Sequence, residues 1–470
     1  METNSPKYFL CGLFILGSWL LTFLLHFNFH HSFHLFSDET IVALLSTFNK
    51  TSFFPVVTAS WPSTSSSSSC DGRYVHMLDL PPRFHVCAEG SPSSDSEYSI
   101  CPLMSNGGLG MALRRSGNES DGETNIYALE VIFHNRMRQY ECLTDDPTTA
   151  TAVYVPYYPA LELHPHLGVP PVALVATFLG DPRRRDHFMV ASKATWMFRR
   201  KEPSDDQGCG NSFLEQPESR NMTVLTYETD IWERPRRGYF PVPYPSYFHP
   251  SSAGEVATWQ ARVRATSRPW LFAFAGARRP NGTLPIRDRI FDACDGSDGR
   301  CAMLDCGGGH VSCRRSPWKV VSLFVSSRFC LQPPGDSFMR RSAVDAVMAG
   351  CIPVFFHEAS TFEKQYRWHD RDDLNSDGHH RSYYVFVDQN DVLQGKVGIE
   401  EVLSRYSDEE VAAMREEVIK MIPRFLYKDP TVGFDGGTRD AFDISMDEVL
   451  ARMRRIKDGE LLGGKDGNDD

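Results

Sequence analysis

The stretch PPGDSFMRRSAVDAVMAGCIPVFF, residues 333–356, joins a Pro-Gly break to a helix and closes on a short hydrophobic strand. Pro333, Pro334 and Gly335 end the preceding strand, Asp336 or Ser337 is placed to cap the helix, and Arg340 and Arg341 fall in its first turn. A helix N-terminus presents free N–H groups and partial positive charge, so arginines there are mildly unfavourable unless an anion lies among them. Two readings stand. The arginines hold a phosphate or carboxylate ligand, or Arg341 pairs with Asp345 one turn on. Ala343, Val344, Val347 and Met348 form the face that packs on a sheet, and Gly350 ends the helix.

Working outward, short apolar runs alternate with helical patterns. PWLFAFAGARR reads as a buried strand ending in Gly276, Arg278 and Arg279, at the end of a strand where open α/β sheets bind their ligands. Trp318–Val325 reads as helix, Arg328–Gln332 as strand, Arg340–Ala349 as helix and Cys351–Phe356 as strand. An earlier series has strands at Tyr74–Met77, Ala150–Pro156, Phe188–Ala191 and Met222–Glu228, a helix at Tyr127–Leu143, a segment of either type at Val172–Leu179 and the helix-like KATWMFRR. FPVPYPSYFHPSS, Phe240–Ser252, is too proline-rich for either element and reads as an interdomain link. The expected fold class is α/β, with two Rossmann-like domains on parallel, buried sheets facing a cleft. Ser407 and Glu410 form a capping box for a helix running to about Tyr427, and a last amphipathic helix covers Ser445–Ile456.

The N-terminal run YFLCGLFILGSWLLTFLLHF, Tyr8–Phe27, carries no formal charge and matches the thickness of a bilayer core. No small-residue cleavage site follows, and Lys7 precedes it while Asp38 and Glu39 follow, which favours an uncleaved anchor with a cytosolic N-terminus. Sequons at Asn49, Asn118, Asn221 and Asn281 agree with a lumenal chain. So do 12 cysteines, which in an oxidising lumen imply several disulfides and at least one free thiol. Cys294, Cys301, Cys306 and Cys313 lack the tight C-x2-C knuckles of zinc sites and read as disulfide partners. The expected domains are a cytosolic tail at 1–7, a signal anchor at 8–27, a stem at 28–69 ending in STSSSSS, and a first domain at 70–253. A second domain at 254–430 and a C-terminal helix with a disordered tail at 431–470 complete the chain.

A formal net charge of -11 excludes a general nucleic-acid binder, so any basic site is local. His187, His249 and Glu162 border strands or the link and are candidate bases for deprotonating a hydroxyl. Asp370-Arg371-Asp372 resembles an Asp-x-Asp metal motif, but it lies in a polar run and is set aside, so no metal site is expected. P-loop, zincin and nucleophile-elbow signatures are absent from the sequence.

SRFCLQPPGDSFMRRSAVDAVMAGCIPVFF, WLFAFAGARRPNGTLPIRDRIFDAC, CDGRYVHMLDLPPRF, RRRDHFMVASKATWMFRR and VPYPSYFHPSS together closely resemble the plant xyloglucan galactosyltransferases of the exostosin family, glycosyltransferase family 47. The likeness runs in order from about Cys70 to about Ile456. It implies a type II Golgi membrane protein of GT-B architecture that inverts the anomeric centre, needs no metal, and holds a UDP-sugar mainly in its second domain. For the residues quoted, it implies a donor site built from Arg278, Arg279, Gly335, Asp336, Ser337, Arg340 and Arg341, with Asp345 at the ribose. The implied partners are UDP-galactose and a xyloglucan acceptor, with complexes among Golgi transferases. UDP-galacturonate or UDP-arabinopyranose are alternative donors, and a non-catalytic endomembrane-organising protein is the alternative of another class. Two departures from the family pattern, Met77 and Leu78 between His76 and Asp79, and Glu358 after the last strand, bear on ligand detail rather than on fold.

Overall fold

The structure is a computed structural model that describes residues 70–81, 101–113, 121–162, 186–198, 219, 221–229, 231, 238–279, 282–307, 313, 317–370, 383–434 and 436–460. The anchor at 8–27, the flanking tail and stem, the segment Val172–Leu179, the C-terminal tail, and Asn49, Asn118 and Asn281 lie outside these residues. Among the described residues no helix is long and apolar enough to cross a membrane.

Ten strands form two sheets. In the first, β1 (Val75–Met77), β2 (Ala152–Tyr154), β3 (His187–Ala194), β4 (Thr223–Glu228) and β5 (Tyr239–Pro241) lie side by side in chain order, every pairing parallel. In the second, β6 (Trp270–Gly276), β7 (Cys301–Asp305), β8 (Ser327–Gln332), β9 (Ile352–Phe355) and β10 (Val385–Phe386) take the order β10-β9-β8-β6-β7, again all parallel. Parallel pairing requires crossovers, and helices supply them. Helix α1 (Leu129–Arg138) lies between β1 and β2, and α2 (Pro159–Glu162) follows β2. Helix α3 (Ala253–Ala265) leads into the second sheet, where α4 (Pro285–Asp295), α5 (Pro317–Val325) and α6 (Arg341–Met348) each connect successive strands. Two long helices, α7 (Asp408–Phe425) and α8 (Ala441–Lys457), close the described chain.

Both faces of each sheet are covered, which is why the strands read as unbroken apolar runs. Tyr154, Phe188, Val190, Leu225 and Tyr227 share one core, while Met189, Ala191 and Val224 enter another, following the period-two alternation of strand side chains. Phe272, Phe274, Phe329, Leu331, Ile352 and Val354 fill the main core of the second sheet, and Ala273 and Cys330 point the other way.

Three features differ from the sequence reading. The proline-rich link contributes β5, because a sheet edge tolerates Pro241 without losing a ladder hydrogen bond. Strand β3 runs on to Ala194, opposite Glu228 of β4, so the expected helix in KATWMFRR shrinks to a single 3-10 turn at Thr195–Phe198. The final helix begins at Ala441, four residues before the expected Ser445, because Asp440 and Asp443 form a capping box there. That helix is part of the first sheet's core, with Phe442, Met446, Val449, Leu450 and Met453 buried against it. Arg136 of α1 fixes it there by pairing with Asp440 and Asp443, each at 3.2 Å.

The cysteine tetrad pairs within itself, Cys294 with Cys301 and Cys306 with Cys313. Cys70–Cys142 and the buried Cys330–Cys351 complete the described pairs, the latter tying β8 to the start of β9.

Candidate functional site

Strand order reverses between β8 and β6, since the chain leaves β6 for β7 on one side and returns to β8 on the other. Beyond the carboxyl ends of two such strands the connecting loops part and leave a crevice. The loops are Ala277–Arg279 after β6 and Pro333–Phe338 after β8. Arg287, buried in α4, stitches them together: its Nε donates to the Pro334 carbonyl at 3.1 Å and its Nη1 to the Ala277 carbonyl at 3.0 Å.

Gly335 is the floor of this crevice. A Cβ there would overlap the Arg340 guanidinium and stand 3.1 Å from Arg287 Nη2, so glycine is needed for closeness rather than for backbone conformation. Burial brings the Arg287 pKa down to about 10, with repulsion from Arg340 and Arg279 adding to the fall. Arg279 is held by Asp336, 2.6 Å from Oδ1, and Asp336 is largely exposed. Among the described residues Arg340 has no ion-pair partner. Two guanidinium groups, those of Arg340 and Arg287, thus meet at Gly335, and that of Arg279 lies on the adjacent Asp336, an arrangement suited to an anion with several acceptor oxygens.

A cavity of about 240 Å³ lies at Gly335 and Asp336, lined also by Glu228 at the end of β4, by Trp196 from the turn after β3, and by Ser337, Phe338 and His357. Glu228, at the carboxyl end of β4, is 2% exposed and accepts the Met339 N–H at 2.6 Å. Burial pushes its carboxyl above the usual range, while the Met339 and Phe338 amides, the Ser337 hydroxyl and the Arg340 charge pull it back. His357 follows β9, stacks on Phe338 at 4.6 Å between ring centres, and accepts the Ala359 N–H on Nδ1 at 3.1 Å. The accepting Nδ1 puts the proton of a neutral ring on Nε2, and burial lowers the imidazole pKa despite Asp388 and Glu358.

The residues singled out from sequence fall into three groups. Gly335, Asp336, Ser337, Arg279 and Arg340 come together at the crevice. Neither Asp336 nor Ser337 caps α6, since the chain turns once more beneath Glu228 and the N-cap is Arg340, with no side-chain cap. Ser337 instead donates to the Met339 carbonyl at 3.0 Å.

Arg341 and Asp345 lie elsewhere. Arg341 stacks on Tyr247 at 3.8 Å, donates to the Thr124 carbonyl at 2.6 Å, and has Asp345 Oδ2 3.8 Å from its Nε. Ser246 donates to Asp345 Oδ1 at 2.6 Å. Burial lowers the Arg341 pKa and raises that of Asp345, and each partner's charge opposes the other's shift. The pair is a buried joint between α6 and the Pro-rich link, which realises the i,i+4 reading of these two residues. Arg278 also turns away, onto the outer face of α4, where it pairs with Asp288 and Asp292 and covers the Phe291 ring.

Of the candidate bases, His187 stands at the start of β3, opposite Val153, and contacts Asp186 at 2.9 Å. Seven residues of strand separate it from Ala194 at the crevice end, about 23 Å at ~3.3 Å per residue. His249 is 1% exposed, its Nδ1–H donates to the Tyr427 carbonyl at 2.9 Å and its Nε2 lies 2.8 Å from the Thr124 hydroxyl. His249 is thus tied into the packing between the link and Tyr427, and His187 lies at the end of β3 away from Ala194. Glu162 ends α2, and its side chain lies outside the described set. Asn221 is exposed at the turn before β4, and of the Asp-x-Asp run only Asp370 is described, buried and bonded by the Tyr383 hydroxyl. Sequence reasoning missed Glu228, Arg287, His357 and Trp196. Glu228 carried a signal, as the one acidic residue ending an otherwise uncharged buried strand.

The Exostosin GT47 domain model matches residues 69–403. The chain belongs to that family. It is 37% identical over 416 residues to the Arabidopsis thaliana protein named xyloglucan galactosyltransferase MUR3, covering 84% of this chain and 65% of that one, so it spans just under two thirds of this relative. It is 37% identical over 425 residues to probable xyloglucan galactosyltransferase GT15, covering 85% and 86%, and 35% identical over 414 residues to xyloglucan galactosyltransferase XLT2, covering 82% and 76%, both from the same plant.

Proposed function

We propose that this chain is a glycosyltransferase that moves galactose from UDP-galactose to xylosyl side chains of xyloglucan, with inversion at the anomeric carbon. The observation that carries the reading is the meeting of Arg287 and Arg340 at Gly335, with Arg279 on the adjacent Asp336, at the strand-order reversal. A diphosphate fits it in charge and in number of acceptors. The named activities of the relatives supply the sugar and the acceptor.

An acceptor hydroxyl reaching the donor from the first-sheet side attacks the anomeric carbon as the bond to the β-phosphate oxygen breaks. The departing electron pair leaves negative charge on the diphosphate, and preorganised guanidinium groups stabilise it with no reorganisation at the moment of reaction. Turnover is therefore expected without a divalent cation. The uncharged run at 8–27 and the oxidised cysteines support a Golgi type II topology with the folded part in the lumen.

The test is incubation of the purified protein with a panel of UDP-sugars and galactose-free xyloglucan, with and without EDTA, reading product mass. A hexose increment from UDP-galactose that persists in EDTA supports the reading. Transfer from UDP-galacturonate or UDP-arabinopyranose instead reassigns the donor, and UDP binding without transfer from any donor favours an organising role.

A further inference from the structure

The carboxyl ends of β3 and β4 form the wall of the cavity that faces the arginine cluster. Their register sets Ala194 opposite Glu228, and the chain beyond Ala194 turns to place Trp196 on the same wall. Trp196 is 38% exposed, in a fold where Trp259 and most other large aromatics are buried. An indole left open beside a cavity offers a flat apolar face with a polar edge, which suits a pyranose ring. Glu228 lines the same cavity as Gly335, with Oε2 anchored by the Met339 amide, so its carboxylate is fixed in orientation.

We propose that Glu228 is the general base of the transfer and that Trp196 is the platform on which the acceptor sugar stacks. The proposal rests on the transfer reading above and names residues for its acceptor side. In the step, the acceptor hydroxyl proton passes to the Glu228 carboxylate and its oxygen forms the bond to the anomeric carbon. The anomeric carbon's bond to the diphosphate breaks with its electron pair going to the diphosphate, and the Glu228 proton then returns to solvent. Burial of the carboxyl raises its basicity toward the range useful for a base. The groups facing it are Arg340 from the start of α6, Ser337 from the loop after β8, Tyr244 from the link and Tyr366 from the turn after Gln365.

A competing role for Glu228 is that of a clasp, holding loop 337–339 in place through the Met339 and Phe338 amides and the Ser337 hydroxyl. Glu228→Gln, read with UDP affinity, separates the two: the amide oxygen still accepts the Met339 N–H, the side chain no longer takes a proton, and UDP affinity reports whether the loop stays in place. The experiment uses the full chain and measures UDP affinity, kcat, and the KM for a galactose-free xyloglucan oligosaccharide. Glu228→Gln is expected to keep UDP affinity within about twofold and to lower kcat by about 10²- to 10⁴-fold. Trp196→Ala is expected to raise the acceptor KM by about tenfold with UDP affinity unchanged, and Trp196→Phe to recover part of it. A Glu228→Gln protein with kcat within threefold of the unsubstituted chain, or one that no longer binds UDP, overturns the base assignment in favour of the clasp. An unchanged acceptor KM in Trp196→Ala overturns the platform. Absence of UDP binding by the unsubstituted protein removes the transfer reading and this proposal together, whereas UDP binding with an active Glu228→Gln removes the proposal alone.

Discussion

Glu228 Oε2 lies 2.6 Å from the Met339 amide nitrogen, so the acidic end of a first-sheet strand meets the loop that opens α6 in the second sheet. The anion at the start of that helix is therefore supplied by the protein. The Arg340 charge acts on the same carboxylate, and its guanidinium lies against Gly335.

Gly335→Ala tests how close that approach is. The backbone at 335 needs no left-handed conformation, so alanine is compatible with the fold, but its Cβ occupies the place of the Arg340 guanidinium. UDP affinity should fall about tenfold or more while the denaturation midpoint stays within experimental error. A displaced Arg340 with unaltered UDP affinity would show that the cluster does not hold the diphosphate.

Arg341→Ala addresses the joint. Removing one partner leaves Asp345 charged and buried beside Ser246, a loss of about 3–5 kcal/mol of stability by the general cost of orphaning a buried ion. Chemical denaturation should show the loss. In protein that remains folded at low temperature, UDP affinity should change far less than in Arg340→Ala.

His249→Ala removes contacts with Tyr427 and Thr124, at about 1–3 kcal/mol for the buried groups left unpaired. The pH dependence of kcat should keep its shape. A change in its acidic limb would return His249 to the list of candidate bases.

Glu130 gives a pH dependence of stability. It is fully buried in α1, accepts the Ala160 and Ser192 amides on Oε1, each at 2.9 Å, and burial raises its pKa from 4.5 to about 8. Between those values the folded state binds more protons than the unfolded chain, so stability falls as pH rises from about 4.5 to about 8. Across pH 5–8 the thermal midpoint of the unsubstituted protein should fall relative to that of Glu130→Gln as pH rises.

Much of the architecture was legible because parallel strands buried on both faces leave uncharged runs such as TVLTY, residues 223–227, and WLFAFAG that no other element explains. The edge strand β5 was not, since three residues containing Pro241 carry no periodicity. Part of the crevice was legible through Gly335 and Arg340, which sit next to a strand end. Which of the two adjacent arginines lies against Gly335 was not legible in local sequence. That depends on Tyr247 and Thr124, 94 and 217 residues away, which stack on one guanidinium and bond it. Arg287 was illegible for the same reason, and Glu228, though visible as the acidic end of a buried strand, gave no sign of the loop it meets. Each acts on a loop about 50 or more residues distant, through contacts only the folded chain creates.

The most direct measurement is the equilibrium affinity for UDP of the unsubstituted protein and of Arg340→Ala, at one ionic strength and in EDTA. The expected result is binding by the former and a weakening of about 10- to 100-fold in the latter, at an unchanged denaturation midpoint. Equal affinity in the two proteins would contradict the assignment of the Arg340–Gly335 crevice to the diphosphate.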